Sequence, residues 1–234
     1  MTGPHASRSE LPRRHTTPGF HHAVRLVARI VAMVTTRLDA QGVERVPMQG
    51  AFVGVSNHLS SFDPLVVLAV MPVRPGTAFA AIEHRRDFLV GWALDRLGVI
   101  WIDRDNPSRD ALRIALNELA HGTAFGIAPE GTRSRSGGLL PGKTGATYLA
   151  TRAGVPILPI AIWGTEKVAG NLRRLKRETV HCHVGELIRL PQGRASTGEL
   201  EEYTDLIMHR IASMLPPEYR GVYADKNISG NPVA

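Results

Sequence analysis

Asn57-His58-Leu59-Ser60-Ser61-Phe62-Asp63-Pro64 is the stretch on which the reading of this chain turns. Before it stands an apolar run, Ala51-Phe52-Val53-Gly54-Val55-Ser56, that reads as a buried strand. After it, Pro64-Leu65-Val66-Val67-Leu68-Ala69-Val70 reads as the start of a helix. A strand-to-helix turn is where α/β folds place chemistry, because the strand's carboxyl end opens on a crevice and the helix offers unpaired N–H groups there. This turn carries an imidazole and a carboxylate.

On one continuous helix, residues five apart lie about 140° round the axis, so His58 and Asp63 meet only if His58 is in the loop and Asp63 at the helix mouth. Pro64 suits the first helical position, which makes Asp63 the predicted N-cap. A carboxylate accepting the imidazole Nδ1–H leaves Nε2 unprotonated and free to act as a general base. A purely structural reading uses the same letters: Asp63-Pro64 as N-cap and N1, with Ser60-x-x-Asp63 as a loose capping box. His58 fits that reading less well, since it is not on an apolar helix face where a core histidine belongs.

The chain has 234 residues, enough for one large α/β domain. Its formal net charge of +7 and pI of about 10.2 favour anionic partners: phospholipid headgroups, phosphorylated metabolites or nucleic acid. The single cysteine, Cys182, excludes an intramolecular disulfide and a four-thiolate zinc site. No run reaches the ~20 apolar residues needed to span a bilayer, and the N-terminus lacks a signal peptide's charged-then-apolar layout.

Residues 1–19, rich in Pro, Ser, Thr, Arg and His, read as a disordered tail. Residues 20–38 read as an amphipathic helix, with Val24, Val27, Val31 and Val34 at helical spacing and Arg25 and Arg29 on another side. Two readings fit: a helix lying in a membrane interface, or one docked on the domain. Residues 40–215 form the main domain. Strands are expected near 77–82, 98–102, 123–128, 156–162 and 180–190, and helices over 87–97, 107–119 and 143–153. A closing helix carries Leu200, Tyr203, Ile207, Ile211 and Met214 at steps of three and four. Residues 216–234 have no period and read as a C-terminal tail. The alternation predicts an α/β fold: a mostly parallel sheet flanked by helices on both faces, with an N-terminal amphipathic helix.

Two predicted strands end in arginines, Arg104 and Arg133, and in one parallel sheet both ends open on the edge that carries His58. A guanidinium fork matches phosphate oxygens, and Gly131 lets backbone approach an anion. Glu130 would repel a phosphate, so its expected work is to orient an arginine or to accept a hydrogen bond from a hydroxyl. The bland alternative for each arginine is a solvated surface charge.

These residues resemble the glycerolipid acyltransferases typified by 1-acyl-glycerol-3-phosphate (lysophosphatidic acid) acyltransferase. Four blocks match in order across roughly residues 40–190: Asn57-His58 with Asp63; Gly98-Val99-Ile100-Trp101-Ile102-Asp103-Arg104; Pro129-Glu130-Gly131-Thr132-Arg133-Ser134; and Val155-Pro156-Ile157-Leu158-Pro159. The resemblance implies transfer of a fatty acyl group from acyl-CoA or acyl carrier protein to a lysophospholipid hydroxyl, at the cytoplasmic face of a membrane to which the protein binds peripherally or monotopically. It casts His58 as general base and Asp63 as its orienting partner, with Arg104, Glu130, Gly131, Thr132, Arg133 and Lys143 binding the acceptor's phosphate. Asn57 and Pro156 are secondary candidates. No metal and no cofactor beyond the acyl donor is implied. Two positions depart from the family pattern: Ala128 stands where a Phe is usual, and Gly142 where an aromatic precedes the lysine.

Gly137-Gly138-Leu139-Leu140-Pro141-Gly142-Lys143-Thr144 satisfies the P-loop expression G-x-x-x-x-G-K-T and offers a rival reading as a nucleotide-binding protein, although no buried strand directly precedes it. The basic cluster Arg173, Arg174, Lys176 and Arg177 lacks the stacking aromatics of a nucleic-acid site and suits an anionic membrane surface better. His181-Cys182-His183 places two imidazoles on one strand face, but with no further ligand pair nearby it reads as an ordinary strand.

Overall fold

The computed structural model describes residues 18–74, 76–103 and 108–224. The predicted tail up to residue 17, Arg104, and residues 225–234 lie outside them. Among the described residues there are seven strands, β1 (Thr36–Gln41), β2 (Val53–Ser56), β3 (Gly76–Ala81), β4 (Ile100–Ile102), β5 (Ala124–Ile127), β6 (Ile157–Trp163) and β7 (Glu178–Val184). They form one sheet in the order β1-β7-β6-β2-β5-β3-β4. From β6 to β4 all neighbours are parallel; β7 runs antiparallel to β6, and β1 parallel to β7. The predicted mostly parallel α/β sheet is therefore present, and the carboxyl ends of β2, β4 and β5 open on one edge.

The helices are α1 (Pro18–Thr35), α2 (Asp63–Val70), α3 (Phe88–Leu97), α4 (Arg109–Ala120), α5 (Gly145–Ala153), α6 (Thr165–Leu172) and α7 (Thr197–Met214). On one sheet face, Val53, Val55, Phe125 and Ile157 pack with Ala115 and Leu119 of α4, Leu149 of α5, and Ile207, Met208 and Ile211 of α7. On the other, Phe52, Leu158, Ile160, Ile162 and Val180 pack with Val66 and Val70 of α2 and Val168 of α6. The alternation along β6 explains its all-apolar sequence: it is central, and both faces are covered.

Four elements differ from the sequence expectation. The N-terminal helix stops at Thr35, where the hydroxyls of Thr35 and Thr36 bond back to the carbonyls of Val31 and Ala32, at 2.7 and 2.6 Å, and compete with further helix. Leu38 therefore belongs to β1, a strand of the sheet rather than a helix end. The last strand is shorter than 180–190; beyond Val184 only a bridge of Ile188 to Ile157 continues the pairing. Helix α6 went unread because it is short, contains Gly170, and buries only Thr165 and Val168. Residues 217–223 are not a loose tail: two single 3₁₀ turns seat Tyr219 and Tyr223 in the core, and their lack of period is that of isolated turns.

Helix α1 buries Arg25, Ala28 and Ala32, half-buries Val24 and Val31, and leaves Val27 and Val34 exposed. Arg25 is buried with its guanidinium on the Pro72 carbonyl, and Arg29 Nε donates to the Ala69 carbonyl at 2.9 Å, so both arginines close the carboxyl end of α2. Arg177 does the same for α1 through the carbonyls of Met33 and Thr36. The outward face of α1 is left apolar, with Leu26, Val27, Met33 and Val34 exposed. Beside it α3, capped by the Asp87 carboxylate, exposes Phe88 (83%), Leu89 (72%) and Trp92 (51%), and Phe20 meets Trp92 edge to face. Among the described residues no helix is long and apolar enough to cross a membrane.

The departure at Gly142 has a packing cause. A Cβ there would lie 2.8 Å from Thr204 Cγ2 and 2.7 Å from Met208 Cγ, so α7 occupies the space an aromatic would need. Gly142→Ala is expected to cost about 1–3 kcal/mol of stability by overpacking, measured as a lower urea midpoint at unchanged m-value.

Candidate active site

Beyond Ser56 the chain leaves β2, and Asn57 governs how. Its Nδ2 donates to the Ile162 carbonyl at 2.7 Å while its Oδ1 accepts the Ile162 N–H at 2.8 Å. The side-chain amide thus extends the pairing with β6 by one step while the backbone is released to turn. Asn57 is fully enclosed, and its work is structural.

His58 follows at the rim, its side chain 16% exposed, and its Nδ1 lies 2.7 Å from Asp63 Oδ2. The expected imidazole–carboxylate pair is formed. Among the described residues Nε2 has no hydrogen-bond partner. Asp63, 3% exposed, differs from its predicted capping role. It is the first residue of α2 rather than its N-cap, which is Phe62. Its Oδ2 also accepts the N–H groups of Leu59 (2.7 Å) and Ser60 (2.8 Å), and its Oδ1 accepts the Thr165 hydroxyl at 2.5 Å. The bond from Ser60 N–H is one half of the predicted capping box, while the Ser60 hydroxyl accepts from Phe62 N–H at 3.2 Å. The five-residue spacing works because Asp63 gathers the loop around itself instead of capping the helix behind it.

Thr165, fully buried at the start of α6, was missed by the sequence reading. Gly164-Thr165 follows β6 as Asn57-His58 follows β2, so the same strand-end rule applied to β6 points to it.

The loop after β5 supplies the other wall. Among the described residues Glu130 bonds to backbone and to no arginine or hydroxyl: Oε1 accepts the His58 N–H at 2.8 Å and Oε2 the Leu140 N–H at 3.0 Å. Ser134 N–H donates to the His58 carbonyl at 2.8 Å, so both backbone polar groups of His58 are fixed by this loop. Burial pushes the Glu130 carboxyl above its usual range, against the opposing pull of those two N–H donors. Gly131 has φ +69°, and the Lys143 side chain lies over it, with Nζ 2.9 Å from where a Cβ would stand. Thr132 and Arg133 are exposed, and Arg133 donates to the Ser61 hydroxyl at 2.8 Å, which brings the guanidinium to the loop that carries His58. Pro156 is not part of this group. It precedes β6, at the amino end of the strands, where its carbonyl accepts from Val53.

A family profile described as Acyltransferase matches residues 37–163, more than half of the chain and all of the rim just described apart from Thr165. The chain belongs to the acyltransferase family. It is 34% identical over 156 residues to the chloroplastic 1-acyl-sn-glycerol-3-phosphate acyltransferase BAT2 of Brassica napus, covering 64% of this chain and 44% of that protein. It is 37% identical over 186 residues to the alpha form of Bos taurus, covering 76% and 62%. The crystal structure of the 1-acyl-sn-glycerophosphate acyltransferase PlsC of Thermotoga maritima superposes with a TM-score of 0.67 at 25% identity, over 88% of this chain and 84% of that one. The chain spans about half the length of the plant relatives it matches.

The P-loop reading fails in this acyltransferase-family chain for a structural reason. A phosphate cradle needs free backbone N–H groups. Those of Leu139, Leu140, Gly142 and Lys143 are already donated to the Tyr219 carbonyl, Glu130 Oε2, the Tyr223 hydroxyl and the Pro129 carbonyl.

The raised Glu130 value sets a sign for stability. The unfolded chain has the ordinary, lower value, so between the two values the folded protein binds more protons and gains stability as pH falls. Relative to Glu130→Gln, the wild-type urea midpoint is expected to rise on acidification from neutral pH towards the ordinary glutamate range; parallel midpoints would contradict the assignment.

Proposed function

We propose that the chain transfers a fatty acyl group from acyl-CoA or acyl carrier protein to the free hydroxyl of 1-acyl-glycerol-3-phosphate, giving phosphatidic acid. The observation that carries this reading is the His58–Asp63 pair at 2.7 Å with Nε2 unpartnered, at the same rim as the Arg133 guanidinium. The names of the relatives supply the acceptor.

In this reading Nε2 of His58 takes the acceptor's hydroxyl proton as that oxygen attacks the thioester carbonyl. The tetrahedral intermediate collapses with loss of the thiolate, which recovers the proton from the imidazolium, so the base is regenerated. Asp63 keeps the ring proton on Nδ1 and stabilises the imidazolium. General base catalysis supplies about 10²–10⁴-fold, and holding two substrates together supplies much of the rest. The chemistry requires neither a covalent acyl-enzyme nor a cofactor beyond the donor. Arg133 and Lys143 are proposed to hold the acceptor phosphate, with Gly131 and Thr132 as the backbone between them. Arg104, two residues past β4, is proposed to join them. Glu130 and Asn57 are proposed as positioning residues, and the working domain as residues 36–223 rather than 40–215, since β1 and the two tyrosine turns belong to it.

We infer further that the protein binds the cytoplasmic face of a membrane peripherally. The apolar outer faces of α1 and α3 adjoin one another, and Arg96 lies over the rings of Phe20 and Trp92 at 6.0 and 5.5 Å. An apolar surface with basic residues beside it fits an anionic bilayer. A substrate bearing one acyl chain and one phosphate would then enter from the membrane plane.

Purified protein given a panel of lysophospholipids and acyl-CoAs is expected to acylate 1-acyl-glycerol-3-phosphate. His58→Ala should lower turnover by about 10²–10⁴-fold. Arg133→Ala should raise KM for phosphate-bearing acceptors by about 10–100-fold, the worth of a charged hydrogen bond, with a smaller change in kcat. Full activity in His58→Ala would sink the mechanism.

Flotation with phosphatidylglycerol-containing vesicles checks the membrane face. The wild type should float, and Met33→Ser with Phe88→Ser, both at exposed positions, should remain in the dense fraction. Equal flotation of the two proteins would rule this face out.

A further inference from the structure

The H-x-H step of β7 acquires a third member only in three dimensions. Asp39 of β1 stands in register with His181, and His183 lies two residues on along the same face. Asp39 Oδ2 is 2.9 Å from His181 Nδ1 and 3.9 Å from His183 Nε2, and one ligand-capable atom from each of the three residues lies within 4.8 Å of the others. Trp163 supports the pair, stacked on the His181 ring at 4.5 Å and edge-on to His183 at 4.6 Å.

His183 Nε2 is enclosed yet has no hydrogen-bond partner, a state that costs free energy and calls for an occupant. Cys182 takes no part. It projects to the opposite face, buried, with its thiol pKa pushed up to about 12.

We propose that Asp39, His181 and His183 bind a divalent transition-metal ion of the zinc class, with solvent in the remaining position. Nitrogen and oxygen donors about 2.0–2.2 Å from a tetrahedral zinc stand about 3.4 Å apart. The observed 2.9 and 3.9 Å bracket that value, so side-chain rotation closes the site while the register of β1 and β7 fixes the backbone. The metal takes the place of the hydrogen bond between His181 Nδ1 and Asp39, and the neutral ring then carries its N–H on Nε2. The sequence alone argued against a metal because Asp39 is 142 residues distant from His181 in the chain. The site plays no part in acyl transfer. It joins an edge strand to the sheet, and α1 runs directly into that strand.

The test uses the full chain stripped with chelator and titrated with zinc chloride and, separately, cobalt chloride. One equivalent should bind. The cobalt form should show the intense visible absorption of a tetrahedral site, and zinc should raise the melting temperature. Asp39→Asn and His183→Gln should each weaken binding by about tenfold or more and abolish the thermal shift. Histidine ring ¹⁵N resonances followed in the wild type during the zinc titration identify the ligands independently of the variants' folding. Failure to bind zinc, or shifts confined to other histidines, or equal uptake by folded variants, would reduce the cluster to a hydrogen-bonded pair.

Discussion

One carboxylate holds the rim together. Asp63 accepts from the His58 ring, from two consecutive backbone N–H groups and from the Thr165 hydroxyl, and it does so buried between the β2–α2 loop and α6. A buried carboxylate is tolerable only when donors surround it. Here the donors that satisfy the charge are the same groups whose positions define the site. Removing the charge would release the imidazole, the loop backbone and the start of α6 together, which is why the pair cannot be regarded as a catalytic histidine with an optional helper.

The second constraint is on the backbone of His58. Its N–H goes to Glu130 and its carbonyl receives Ser134 N–H, so the residue is pinned from the β5 loop on both sides. Glu130 in turn reaches Leu140, fastening the segment that leads to Lys143. The four blocks of sequence that mark this chain are therefore not four sets of substrate contacts. Asn57 and Glu130 spend their polar groups on backbone, and Pro156 stands at the far end of the strands; among the described candidates, what remains for a ligand is His58 Nε2, Arg133, Lys143 and the backbone between the last two.

The layers and most of the elements were legible because the apolar runs alternate with helical periods, and the His58–Asp63 contact was legible because proline fixes where α2 begins. Other features left no periodic trace. β1 hides behind α1 because Thr35-Thr36 interrupts the helix with hydroxyl bonds rather than with glycine or proline. The backbone partners of Glu130 were not legible because a motif gives a residue's neighbours in the chain, whereas these partners are the N–H groups of residues 72 and 10 positions away. Thr165 lay in a helix too short to show a face. The sequence left the seating of α1 open between two readings, because the carbonyl end of α2 that Arg25 and Arg29 close is a three-dimensional feature.

The seating of α1 ties the fold to the proposed chemistry. Guanidinium groups bonded to carbonyls at the end of α2 fix α1 to the very helix whose first residue is Asp63. The apolar face of α1 is thereby presented outward by a helix fastened to α2, and not by a flexible appendage. A helix tethered through its arginines cannot turn its valines inward without leaving the α2 carbonyls unpaired. The two hydrogen bonds that would be lost, each to a charged donor and worth about 1.5–3 kcal/mol, oppose that turn. The exposure of the apolar face follows from how the site is anchored, so whatever surface that face meets is held in a fixed relation to His58.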